Sequence, residues 1–412
     1  MRTALDRPLL VTLILLCGYG LAMVYSAGQT DVPSVAEGAW IRQAGWMAIG
    51  ATAAALSFRV SFRLLEWSAP MLYGLGLVLL LVTLFIGTGA GTAASSRSWL
   101  TIAGVRLGQP VELAKLGTVL LLARYLSSLR HAPATLRDLV KPGLIAGIPF
   151  LLVMQQPDLG SAMVFIGIVF AMLFWAGVRP SLLLLLASPM VSLLLAANTV
   201  WWAGWIVLLT VLLLVWRTYV SEGVFIWLVN AAMGVLAIML WDRLKPHQQL
   251  RLVSFLNPAA DPVNSGYQAI QSKVAIGSGG WFGNGWLEGP QKRLAFLPEQ
   301  QTDFIFSVVG EELGFIGVLV ALVLFYLLFM ILVRVARRAT DTFSSLVVFG
   351  VLGVLFTHVF ENIGMTINIM PITGIPLPFF SYGGSFILAC GLSMGLVFRV
   401  AWDSRLSGYV ET

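Results

Sequence analysis

The chain has 412 residues, 58% of them hydrophobic and only 11% charged, with a mean hydropathy of +0.89. A water-soluble domain carries about a quarter charged residues, so this composition excludes one and indicates a polytopic helical membrane protein. The net charge of +6 does not call for a nucleic-acid partner, because the cytoplasmic loops of membrane proteins collect Lys and Arg.

An outer-membrane barrel is excluded as well. Its strands would read as segments of about ten residues with alternating polarity, whereas the apolar runs here are continuous and about twenty residues long. Cys17 and Cys390 lie in apolar segments near opposite ends of the chain, and neither a disulfide framework nor a zinc site follows from them. His131, His247 and His358 share no metal-ligand spacing.

The first apolar run, Pro8–Ala27, follows Arg2 and Arg7. The small residues Ser26, Ala27 and Gly28 admit a cleaved signal peptide, but the length of the run favours a retained span. Further runs follow at 41–57, 69–88, 111–127, 142–156, 159–177, 181–197, 199–216, 223–241, 304–333, 343–361 and 384–401. They predict an all-α bundle of twelve transmembrane helices in one membrane domain, 1–412.

Arg59, Arg63, Arg124, Arg130, Arg137, Lys141, Arg179, Arg217, Arg334, Arg337, Arg338, Arg399 and Arg405 all fall on one side of that arrangement. The positive-inside rule makes that side cytoplasmic, together with both termini, and turns the large 242–303 loop outward. Also outward are the 89–110 loop, the 155–160 turn and the 361–385 stretch. In that stretch Pro371, Pro376 and Pro378 break any helix. A broken apolar segment suits a re-entrant loop lining a cavity inside the protein.

Among residues able to do chemistry, Asp303 comes first, at the outer boundary of a span. Apolar neighbours favour its protonation and nearby cations favour the carboxylate, so a group tuned between them serves as a general base. An N-cap beside Thr302 is the alternative reading. Glu311 and Glu312 lie further along the same helix, where they face a polar cavity or partner, or are held by structural hydrogen bonds in the bundle interior. Glu112 and Lys115, spaced i, i+3, form either a structural ion pair or part of a polar cavity.

Arg97, Arg106, Arg251, Lys273, Lys292 and Arg293 are outward cations that together suit an anionic head group. A divalent metal held between Asp303 and a substrate diphosphate fits the same chemistry. Gly277, Gly279, Gly280, Gly283 and Gly285 either let backbone approach a ligand or serve as turns. No G-x-x-x-x-G-K-[ST] stretch is present, so a nucleotide cofactor is not expected.

Several of these stretches resemble the SEDS family (shape, elongation, division and sporulation), which includes RodA and FtsW. The carriers are Arg97-Ser98-Trp99-Leu100, Gln109-Pro110 with Glu112 and Lys115, Gln156-Pro157-Asp158-Leu159-Gly160, and Ala275-Ile276-Gly277-Ser278-Gly279-Gly280. Leu297-Pro298-Glu299 with Thr302-Asp303-Phe304-Ile305-Phe306, then Glu311-Glu312-Leu313-Gly314, Pro376-Leu377-Pro378 and Ser381-Tyr382-Gly383-Gly384-Ser385 complete the series. They recur in family order over nearly the whole chain. Gly285-Trp286-Leu287 with Gly289, Gln291 and Phe296 is similar to the elongation branch rather than the division branch.

The resemblance implies a peptidoglycan glycosyltransferase that polymerises lipid II at the outer face of the bacterial cytoplasmic membrane during cell elongation. It implies a nascent glycan, a class B penicillin-binding protein and other elongation-complex membrane proteins as partners. It places the family's essential aspartate at Asp303, as catalytic base or as ligand of a divalent metal (Mg or Mn), with no organic cofactor. The expected substrate-binding set is Arg97, Trp99, Glu112, Lys115, Asp158, Arg251, Lys273, Lys292, Glu299, Glu311, Glu312 and Ser381.

Two departures from the family pattern matter: Val111 stands where a Ser is usual after Gln-Pro, and the count of twelve spans exceeds the family's ten. The surplus lies in 180–241, as an apparent two-helix insertion. A division-branch role, a lipid-precursor flippase and a non-catalytic scaffold for cell-wall enzymes are the competing readings.

Overall fold

A computed structural model describes residues 6–89, 98–102, 105–216, 219–243, 249, 255, 257 and 266–410. Nine long helices lead to the large loop: α1 (Arg7–Ala27), α2 (Ala39–Phe58), α3 (Phe62–Ile86), α4 (Pro110–Ser127), α5 (Leu136–Gln155), α6 (Leu159–Trp175), α7 (Pro180–Leu195), α8 (Thr199–Val215) and α9 (Val220–Arg243). The described part of the loop includes the short helices α10 (Tyr267–Ser278) and α11 (Pro290–Arg293). Three long helices close the chain: α12 (Ile305–Arg337), α13 (Thr342–Thr366) and α14 (Gly384–Val410).

Each of the twelve expected spans coincides with one long helix. By length and composition α1, α3, α9, α12, α13 and α14 can each cross a membrane, and α6, α7 and α8 are shorter apolar helices. Gln43 inside α2 and Glu112 and Lys115 inside α4 are buried against other elements rather than turned to lipid. Among the described residues, the strands form a hairpin in the 89–110 loop. There β1 (Leu100–Ile102) pairs antiparallel with β2 (Val105–Gly108), and Thr88 bridges to Trp99. The β-branched Thr101, Ile102 and Val105 favour that conformation over helix.

Small residues let the helices approach closely, as in membrane bundles generally. A Cβ on Gly76 of α3 would lie 2.9 Å from Ala114 Cα on α4, and one on Gly391 of α14 would lie 2.2 Å from the Gly50 carbonyl on α2. One core gathers α1, α12, α13 and α14, and a second gathers α3 to α6 against α13. Helices α7, α8 and α9 share a small separate core of Leu185, Leu209, Leu213 and Ile226. Asn230 of α9 ties that unit together, donating to Ser188 Oγ at 2.8 Å and accepting from Trp205 Nε1 at 3.2 Å. At the basic end, Asp6 caps α1 through Leu9 N and pairs with Arg334 of α12 (2.8 Å) and Arg405 of α14 (2.6 Å).

The large loop docks on a break in α12. Gly314 has φ +63°, ψ −160°, which interrupts the helix and frees backbone groups on both sides. The loop satisfies them: Asn284 N donates to Glu311 O (2.9 Å), Gly285 N to Glu312 O (3.1 Å), and Phe315 N to Gly280 O (2.9 Å). Irregular backbone at membrane depth is tolerated where protein covers it in this way. Gly279 and Gly283 are required here because any Cβ would collide with the Gly310 and Glu312 carbonyls. These two glycines admit helix backbone, not a ligand.

Candidate active site

Asp303 sits in a tight turn just before α12. The amides of Thr302, Asp303 and Phe304 converge on the Glu299 carbonyl, and Glu299 itself has φ +54°. Asp303 therefore is not an N-cap, since Phe304 occupies that position and α12 has no side-chain cap.

The broken 367–383 segment grips this turn. Asn362 of α13 donates through Nδ2 to both the Asp303 carbonyl (2.8 Å) and the Ile375 carbonyl (2.7 Å). Ser381 Oγ donates to the Thr302 carbonyl (2.5 Å) and accepts from Leu377 N (2.7 Å), while Tyr382 N donates to the Gln301 carbonyl (2.9 Å). Gln43 of α2 locks the far end, donating to the Ser381 carbonyl (2.9 Å) and accepting from Gly383 N (3.2 Å). Gly374, at φ +70°, brings bare backbone against the carboxylate; a Cβ there would lie 3.2 Å from Asp303 Oδ2.

The carboxyl itself is half-buried and has no cationic partner among the described residues. Burial pushes its pKa up to about 7, the negative charges of Glu299 and Asp158 add to the rise, and the Thr302 hydroxyl opposes it. Asp158 caps α6 by accepting from Ser161 N (3.0 Å), and its other oxygen accepts from Ser98 Oγ (3.3 Å) and Gln109 Nε2 (3.2 Å). It thereby joins the hairpin loop and α4 to the face that carries Asp303. Trp99 is held beside Ser98 by backbone hydrogen bonds to Thr88.

Beneath this face lies a buried polar chain. Lys115 donates to Glu112 Oε1 at 2.7 Å and to His358 Nε2 at 2.9 Å. The remaining ring nitrogen, Nδ1, then carries the proton and donates to the Pro376 carbonyl at 3.1 Å. Glu112 and Lys115 are thus an ion pair beside a cavity of only about 20 Å³, room for about one water. The pair reaches the Asp303 region through His358 and the broken segment.

Glu311, Glu312 and Lys292 have a different destination. Lys292 pairs with Glu312 at 2.6 Å with both side chains fully buried, and Ser26 of α1 donates to Glu312 at 2.7 Å. Glu311 accepts from the Gln291 and Lys292 amides (2.6 and 3.2 Å). The structure spends all three on fastening α11 to α1 and α12, because an unpaired charge at that depth would be costly. Of the other outward cations, Arg293 pairs with Asp31 (3.0 Å) and Lys273 is exposed on α10. Arg97 and Arg251 lie outside the described residues.

Among the described residues no three His, Cys, Asp or Glu side chains come together to hold a metal. The carboxylates of Glu299 and Asp158 act on Asp303, and a cation held here would draw further ligands from a bound substrate. Sequence reasoning did not assign Gln43, His358 or Asn362. Their only signal is a polar side chain in an otherwise apolar span, which marks burial against a partner without naming it.

The Cell cycle protein family of FtsW, RodA and SpoVE matches this chain over residues 7–205 and 203–406. The peptidoglycan glycosyltransferase RodA of Treponema pallidum is 32% identical over 96% of this chain and 97% of its own. The peptidoglycan glycosyltransferase MrdB of Escherichia coli K12 is 34% identical over 96% of this chain and 93% of its own. Among solved structures, a chain from work described as "Structural coordination of polymerization and crosslinking by a peptidoglycan synthase complex" superposes with TM-score 0.72 at 30% identity, covering 97% and 98% of the two chains. The chain belongs to the FtsW/RodA/SpoVE family.

Proposed function

We propose that the chain is a peptidoglycan glycosyltransferase of the RodA type, which polymerises lipid II into β-1,4-linked glycan at the outer face of the cytoplasmic membrane during cell elongation. The observation that carries this reading is the gripped Asp303 carboxyl, which has a pKa of about 7 and pairs with no cation among the described residues. It stands in a chain 32% and 34% identical, nearly end to end, to proteins of that activity.

A base works best when its pKa lies near the working pH. Asp303 removes the proton from the C4 hydroxyl of the acceptor sugar. That oxygen attacks the anomeric carbon of a lipid-diphosphate-linked donor, the C–O bond to the diphosphate breaks, and the configuration inverts from α to β. The grip of Asn362 and Ser381 on the turn holds the carboxylate at the reacting oxygen, a positioning effect worth several kcal/mol. In the alternative role, Asp303 would hold a divalent cation (Mg or Mn) instead of taking the proton, and that cation would offset the leaving group's charge.

The basic loops lie on the cytoplasmic side with both termini, and the Asp303 face lies outside. A class B penicillin-binding protein is the proposed partner, supported by the solved neighbour's origin in a complex of polymerisation and crosslinking. The proposed insertion in 180–241 draws support from the separate core of α7 to α9 and from the meeting of the two family matches at 203–205, within α8.

The test is lipid II polymerisation by purified protein, wild type beside Asp303→Asn, with and without penicillin-binding partner and divalent metal. Glycan from wild type alone supports the assignment. Glycan from both overturns the role of Asp303, and transport of lipid precursors across vesicles without any glycan hands the case to a flippase.

A further inference from the structure

At the basic end of the bundle, opposite Asp303, the ends of α4, α6, α12 and α13 enclose a cavity of about 490 Å³. Its walls are of two kinds. Leu126, Leu129, Trp175 and Leu346 form an apolar floor, and Arg130, His131 and Arg337 stand at its edge. The three basic side chains are exposed and have no ion pair or hydrogen bond among the described residues.

Several polar groups of the lining are already engaged. Trp175 Nε1 donates to Ser345 Oγ (2.8 Å), which donates to the Ala336 carbonyl (2.7 Å). Asp341, the one carboxylate in the lining, caps α13 by accepting from Ser344 N (2.8 Å) and Ser344 Oγ (2.6 Å). What remains is unspent positive charge above an apolar floor, in a space of the size that holds small ligands. Phe174, next to Trp175 of the lining at the end of α6, is exposed and apolar.

We propose that this cavity binds the phosphate head group of an anionic phospholipid. Arg suits phosphate through its planar fork of donors, and basic pockets between spans are recurrent sites for such head groups. The apolar floor takes the glycerol and the first acyl carbons. Under the orientation proposed above, the lipid comes from the inner leaflet. Helix α13 begins at this cavity and ends with Asn362 on the Asp303 carbonyl, so the occupant sits at one end of the helix whose other end grips the catalytic turn.

The test is native mass spectrometry of the full chain released from nanodiscs of phosphatidylcholine and phosphatidylglycerol in equal parts. Wild type is expected to retain one phosphatidylglycerol in preference to phosphatidylcholine, and Arg130→Gln/Arg337→Gln to lose about tenfold or more of that retention. Arg59→Gln/Arg63→Gln, which removes basic charge at the same end but outside the cavity, is expected to retain the lipid as wild type does. Equal loss in both double variants would reduce the effect to general surface charge and overturn the site. No lipid preference, with inorganic phosphate bound instead, would overturn the lipid. The assay reads the site whichever side of the membrane it faces.

Discussion

Two acidic centres flank the start of α12, and they are built on opposite principles. Glu312 is fully buried, meets Lys292 at 2.6 Å and accepts from Ser26 as well. Asp303 is half-buried, meets no cation among the described residues, and has its backbone rather than its carboxylate held in place. A carboxylate saturated with partners stabilises structure and has nothing left to offer a substrate. One that is positioned through its main chain, with the neighbouring Thr302 hydroxyl as its side-chain contact, stays open to a substrate and has a pKa near neutrality. The comparison suggests that chemistry in this protein is found where the side chain is spared, not where charges are densest.

The comparison can be broken at its strongest point by Asp303→Asn. Loss of the base should lower glycan polymerisation by about 10²- to 10⁴-fold, with the thermal unfolding midpoint in detergent unchanged. The wild-type rate should rise tenfold per pH unit below about 7 and level off above it, because the base must be deprotonated and burial has raised its pKa to about 7. A rate flat from pH 5 to 8 would remove Asp303 as the base.

Lys292→Met should have the opposite character. Removing one partner of a buried pair costs about 3–5 kcal/mol, so unfolding should come at markedly lower temperature, and the fraction that remains folded should keep a normal pH profile. Asn362→Ala lies between the two. The turn loses a hydrogen bond but the base remains, so turnover should fall about 100-fold, as for a small misplacement of a reacting group, with KM and the pH midpoint little changed. The smallest effect belongs to Arg293→Ala. Its pair with Asp31 is exposed on both sides, and such pairs contribute about 0–1 kcal/mol, so neither stability nor polymerisation should move measurably.

The helices were legible because each is a continuous apolar run, and continuity needs no knowledge of neighbours. Asp303 was legible from its place at a span boundary, and as a catalytic residue only from the family resemblance of the stretches around it. Lys292 was not: as text it is one of several outward cations, and only folding brings it to Glu312 and to Ser26, 266 residues away. The break at Gly314 was hidden for the same reason, since an isolated Gly in an apolar run is usually tolerated without interruption. The hairpin at 100–108 was missed because its strands are three and four residues long, too short for alternation to show.

The turn that carries Asp303 is held by Gln43, Asn362 and Ser381, which come from the second helix, the penultimate helix and the segment after it. The chemistry is therefore not portable. A chimera that receives the 242–303 loop from a homologue inherits its aspartate but not the scaffold that aims it, unless those three distant positions travel too. Conversely, a loop grafted into a chain that keeps them should work at once, so the unit of inheritance for activity in this protein is the bundle and not the loop.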